Sequence, residues 1–173
     1  MLMILNGQNV NNNMENQFFQ IECLNSNGLK IKATINLDIK QEKNPTIIDL
    51  KTREPYTFQG DYKVYYFIYN DEEGRTFKEK DIRTSDAFYK LYKDTDSYNI
   101  KMLIKGCSID YYMVKFLKNT LYAMKLSLGE RVDYKTTKVS IFSSEEDIEK
   151  VVTLEEQNAY YNQWLKSIEG LPY

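Results

Sequence analysis

The sequence predicts an α+β fold built on an antiparallel sheet. Three observations carry this: a long strict alternation near the start, a turn motif just before it, and helix-type spacing only later in the chain. The alternation runs from Leu29 to Lys40, where Leu29, Ile31, Ala33, Ile35, Leu37 and Ile39 interleave with Lys30, Lys32, Thr34, Asn36, Asp38 and Lys40. Period-two patterning of this length means a strand with one buried and one wet face. Phe18 to Leu24 precedes it as a second strand, and Asn25-Ser26-Asn27-Gly28 supplies the residues of a hairpin turn. Pro45 opens a run over 46–58 that includes Ile47 to Leu50 and Tyr56 to Gln59. Tyr62 to Tyr69 is strongly β-prone and closes in the turn Asn70 to Gly74, after which Arg75 to Lys80 can pair back.

Helix begins near Ser85. Asp86, Phe88, Tyr89, Leu91 and Tyr92 make about two turns over 84–93, which Asp94 to Ser97 should end. Residues 98–105 read as a strand around Ile100, Met102 and Ile104. Gly106 breaks it, and Ser108 is an N-cap candidate for a longer helix over 108–127. The stripe of that helix would be Ile109, Tyr112, Met113, Phe116, Leu117, Thr120, Ala123 and Met124. After Gly129 the chain returns to strand over 132–142. The end carries two capping-box patterns, Ser143-x-x-Glu146 and Thr153-x-x-Glu156. They suit either one long helix over 144–168 or two short ones. Leu154, Tyr161, Leu165 and Ile168 form the apolar face, and Gly170 and Pro172 mark the stop.

Taken in order, strands 29–40, 46–58 and 62–70, a helix at 84–93 and strands at 98–105 and 132–142 resemble an OB-fold. That fold has its helix between the third and fourth strands; the helix at 108–127 is an insertion it lacks. With 173 residues the chain fits one domain over 17–173, preceded by a flexible Asn-rich arm over 1–16.

Composition narrows the chemistry. No stretch approaches the roughly 20 apolar residues that cross a bilayer, and the short apolar start has no basic residue before it. A cytoplasmic protein of a bacterial or phage-infected cell is therefore expected, with Cys23 and Cys107 as free thiols. There is no histidine, which removes the commonest general base and metal ligand. There is no Walker A loop and no dinucleotide fingerprint. Asp94-x-Asp96 starts like a calcium loop but fails at Tyr98, Asn99 and Lys105. The expectation is a non-catalytic binding protein with neither cofactor nor metal; a carboxylate-dependent enzyme is the least favoured reading.

Three patterns point to single-stranded nucleic acid, as in a phage replication accessory. Lys63, Tyr65, Phe67 and Tyr69 share one face of a strand, a row on which bases could stack. Lys63, Tyr65, Phe67 and Ile68 also match four positions of the RNP1 pattern, although Val64, Tyr66 and Asn70 depart from it. The helix at 108–127 would present Tyr111, Lys115, Lys118, Tyr122 and Lys125 on its outer face, a row suited to a phosphate backbone. Residues 98–142 carry eight basic and three acidic side chains, whereas 143–173 carry two and seven. The final Glu169-Gly-Leu-Pro-Tyr173 resembles the acidic, apolar-tipped ends of bacterial single-stranded-DNA-binding proteins, although 144–168 is patterned as helix. The alternative is a protein-interaction module, such as a virion component or a phage inhibitor of a host protein. It would dock through Glu145, Glu146, Glu155, Glu156 and Trp164.

Overall fold

The computed structural model describes residues 16–172; apart from Asn16, the expected N-terminal arm lies outside them. The alternating segments form the expected strands. β1 (Gln17–Leu24) and β2 (Lys30–Lys43) pair antiparallel around the predicted turn, in which Asn25 Oδ1 accepts the Asn27 and Leu29 N–H groups and Gly28 takes φ 75°. β3 (Thr46–Ile48) and β4 (Pro55–Thr57) make a separate small hairpin instead of one strand over 46–58. β5 (Asp61–Asp71) lies along the other edge of β2, and β6 (Thr76–Asp81) returns beside β5. With β7 (Lys101–Met102) against β1, the sheet order is β6-β5-β2-β1-β7, antiparallel throughout. The chain is α+β, with this sheet curled into a half-barrel beside two helices, an arrangement compatible with an OB-like fold.

Burial decides which face of the sheet is inside. Ile31, Ala33, Ile35 and Leu37 of β2 and Phe67 and Tyr69 of β5 point into one core with Ala87, Phe88, Leu91 and Tyr92 of α1 (Thr84–Ser97). Phe67 meets Phe88 edge-on at 6.2 Å and Phe142 at 6.1 Å. α1 runs one turn longer than its spacing suggested, through Asp94 to Ser97, because Thr95 is buried and its hydroxyl donates to the Tyr92 carbonyl. Strand 98–105 shrinks to β7.

The helix expected over 108–127 is absent. In its place come β8 (Tyr111–Tyr112), a 3-10 turn at Lys115–Leu117 and β9 (Tyr122–Lys125), with a further 3-10 turn just before at Lys105–Cys107. The reason is that the apolar residues of this stretch serve two cores. Met113, Leu121 and Ala123 join the sheet core, whereas Val114, Leu117, Met124 and Leu126 join a second cluster around Trp164. One helix stripe could face only one of these, and Phe116, which lay on the predicted stripe, is exposed. Strand 132–142 likewise reduces to β10 (Lys138–Ser140), paired with β9.

Of the two capping patterns, one caps a helix. Thr153 and Glu156 cap each other's backbone at the start of α2 (Leu154–Ser167). The Ser143 pattern instead precedes a 3-10 turn at Ile148–Lys150 capped by Asp147. Gln157 of α2 is buried, and its Nε2 lies 2.9, 2.9 and 3.0 Å from the carbonyls of Gly106, Ser108 and Tyr111. Gly106 itself has no room for a side chain, since a Cβ would meet the Phe88 ring at 2.8 Å and Ile141 Cβ at 2.9 Å. Replacing Gln157 by Leu leaves buried carbonyls without a donor. The expected loss is about 1–3 kcal/mol in urea denaturation, larger than for Gln163→Leu on the exposed side of the same helix.

Candidate nucleic-acid interface on the open sheet face

The face of the sheet turned away from α1 carries the even-numbered residues of β2, β5 and β6. Register sets their neighbours: Asp38, Tyr66 and Lys80 lie abreast, with Asn36, Ile68 and Lys78 in the next row and Lys40 opposite Val64 on the other side. Side chains of facing and diagonal residues reach each other across antiparallel strands. Here they converge on Tyr66. The ammonium groups of Lys40, Lys78 and Lys80 stand 4.8, 5.1 and 5.6 Å from its ring centre. Each attracts the ring's negative face, while the three repel one another.

Glu42 offsets part of that charge. It accepts a hydrogen bond from the Tyr66 hydroxyl, and its other oxygen is 3.7 Å from the Lys80 ammonium. Burial and this bond push the Tyr66 phenol up to about 12, so it stays protonated and donating. Phe18 of β1, opposite Asn36, extends the face with an exposed ring, and Ile68 is half-buried between.

The strand parity read from sequence is right, but the face assigned to the ligand is the inner one. Phe67 and Tyr69 are fully buried, and the Tyr69 hydroxyl donates to Asp71 at 3.0 Å. They pack the core and cannot stack on a ligand. Tyr65 is half-buried against the same core, and Lys63 is exposed at the far end of β5. Tyr66, Lys40, Lys78 and Lys80 were missed. The polar alternation of β2 was the usable signal, because it marks the wet face, but the β2–β5 register that carries it to Tyr66 is not written in the sequence.

The outer row expected on the 108–127 helix is dispersed with that helix. Tyr111 and Lys125 pair across β8 and β9; the Lys105 ammonium lies 5.0 Å from the Tyr111 ring, and Lys125 is 3.9 Å from Asp110. Lys115 is exposed in its 3-10 turn, Lys118 uses its carbonyl to accept the Ser85 N–H, and Tyr122 pairs with Ser140. Of the alternative reading's set, Glu145 and Trp164 are committed inside the fold and Glu156 to a helix cap. Glu145 is buried against Lys105 at 2.7 Å; burial works to raise its pKa, but the bonds from Lys105 and the Asp147 N–H hold it below the ordinary value. Glu156 caps α2, and Trp164 is buried with its Nε1 donating to the Glu130 carbonyl at 2.8 Å. Glu146 and Glu155 remain exposed.

No protein-family model matches the chain, and no curated protein matches it.

Other titratable groups are accounted for by packing. Both thiols are buried: desolvation pushes Cys23 up to about 12 and Cys107 well above its ordinary value. Among the described residues no three acidic or sulfur side chains are grouped to hold a metal, and no helix is long and apolar enough to cross a membrane. One carboxylate pair stands out. Glu79 of β6 is pushed up to about 7, by burial first and then by its hydrogen bond with Asp94 of α1. An acid raised from 4.5 to about 7 binds more protons folded than unfolded, so stability falls as pH climbs through that window. Glu79→Gln is accordingly expected to raise Tm at pH 8 and to leave it nearly unchanged at pH 4, as read by thermal melts at both values.

Proposed function

We propose that the open sheet face binds single-stranded nucleic acid. Tyr66 is the stacking platform, and Lys40, Lys78 and Lys80 contact phosphates. The observation that carries this reading is the convergence of three ammonium groups within 6 Å of one partly exposed tyrosine ring on the sheet face turned away from α1. A base can stack on such a ring whatever its identity, while the flanking lysines meet the backbone on either side. The repulsion among the lysines also favours a polyanion, since each phosphate relieves it. Phe18 and Ile68 offer apolar contact to neighbouring bases on the same face.

The test is fluorescence anisotropy of a labelled oligo-dT titrated with protein at several salt concentrations. Tyr66→Ala is expected to weaken binding by about 1–3 kcal/mol, roughly 5- to 150-fold, with Tyr66→Phe close to wild type. Lys78→Ala with Lys80→Ala should reduce the slope of log K against log salt by about 1.4, the share of two phosphates on a single strand. Lys115→Ala with Lys118→Ala, away from this face, should bind as wild type. No binding at low salt, or a Tyr66→Ala protein that binds unchanged, would reject the site.

A further inference from the structure

The two edges of β2 are unequally covered. β5 pairs along Ala33 to Lys43, whereas β1 pairs along Lys30 to Leu37 and stops. From Asp38 to Lys43 the β1-side edge has no strand beside it among the described residues. The direction of its polar groups is fixed by one contact. The Ile39 N–H donates to the side chain of Asn16 at 2.7 Å, and Asn16 directly precedes β1. Residues two apart in a strand point their N–H and C=O the same way, so Gln41 and Lys43 also direct theirs to this edge. Both residues are exposed. Such an edge is a template for another strand.

We infer that this edge pairs with the same edge of a second copy of the chain, antiparallel about a two-fold axis through Gln41. Three features select that occupant and register. Edge-directed residues must face edge-directed ones, so the axis passes through a residue; at Asp38, Lys40 or Glu42 it would set identical charges face to face, which leaves Ile39, Gln41 and Lys43. An axis at Ile39 would need Leu37, whose edge is already paired to Gln17. An axis at Lys43 would place Pro45, which has no N–H, opposite Gln41, beyond the sharp bend where Asn44 takes φ 49°. At Gln41 the strand faces itself, with Ile39 opposite Lys43 and Lys40 opposite Glu42 of the other copy. Opposite charges thus lie abreast on both sides of the axis, and a self-complementary patch is what a two-fold interface requires. Gln41 exchanges its N–H and C=O with its twin, and Ile39 trades the Asn16 side chain for the Lys43 carbonyl. Pairing would fuse the two sheets and bring both Tyr66 faces onto one surface, but it stands whether or not that face binds nucleic acid.

Sedimentation equilibrium of the full chain from micromolar to millimolar concentration tests the inference. The expected result is a monomer–dimer equilibrium. Gln41→Pro removes an N–H that no described residue accepts and is expected to give a monomer with unchanged Tm. Lys40→Glu and Glu42→Lys, each alone, place like charges abreast and should weaken self-association at least several-fold. An equimolar mixture of the two restores both attractive pairs, and it should dimerise more tightly than either variant alone even if Gln41→Pro disturbs the fold. A wild-type protein that stays monomeric at millimolar concentration overturns the inference. If the Gln41 and Lys43 amides of that monomer are protected from hydrogen exchange, a segment of the same chain covers the edge instead. A dimer that survives Gln41→Pro and gains nothing from the mixed pair places its interface elsewhere and overturns it equally.

Discussion

The half of the molecule beyond α1 depends on one buried amide. Residues 103 to 126 have little regular structure, yet much of their backbone is inside, where each unpaired carbonyl costs free energy. Gln157 answers three of these carbonyls with a single Nε2, and the arrangement fixes the orientation of the amide. Turned over, Oε1 would face three other acceptors. Oε1 itself is buried without a partner, so the group is a compromise in favour of the backbone. Other helix side chains extend the same strategy. The Tyr92 hydroxyl reaches the Cys107 and Val152 carbonyls, that of Tyr89 accepts the Met113 N–H, and that of Tyr160 donates to the Leu126 carbonyl. Much of the tyrosine content is thus put to use inside, where a ring fills the core and its hydroxyl serves a loop that cannot serve itself. The stacked series Tyr89, Tyr112, Tyr161 and Trp164 carries this packing from the sheet core into the second cluster.

How much of this was legible depends on range. β1, β2, β5 and β6 follow from period-two patterning and turn residues, and the start of α2 follows from Thr153 and Glu156, all local signals. The segment over 108–127 fails for a non-local reason. Its apolar residues fall at helical intervals, but what they pack against, and on how many sides, is set by α1, α2 and the sheet. The same limit misplaced the candidate site. Alternation shows that Phe67 and Tyr66 lie on opposite faces; which face α1 covers is decided by a helix some twenty residues away. Lys78 and Lys80 join the site through register alone.

Charge is arranged by similar long-range pairing. The basic middle and the acidic end of the chain meet at one buried pair, and more exposed pairs lie around Asp110. Lys105 holds Glu145, and Asp110 receives both Lys150 and Lys125. At the other side of α1, the nearly inaccessible Lys90 donates to Asp81 and to the Lys80 carbonyl, so its charge is compensated where water cannot reach it. The lysines around Tyr66 form a basic group that faces outward from the sheet, with Glu42 and Asp38 beside them. That contrast between internally matched and outward charge gives the open face its chemical character.

The two cysteines carry a consequence of their own. Cys23 sits in the central strands and Cys107 in the irregular layer, and neither can form a thiolate or meet a reagent while its surroundings stay closed. Alkylation must therefore wait for opening of the core that both thiols share, each reached from a different layer. The chain thus carries two clocks in one core, one on the sheet and one on the loops that Gln157 holds: equal rates mean that the layers open together, unequal rates that they come apart independently.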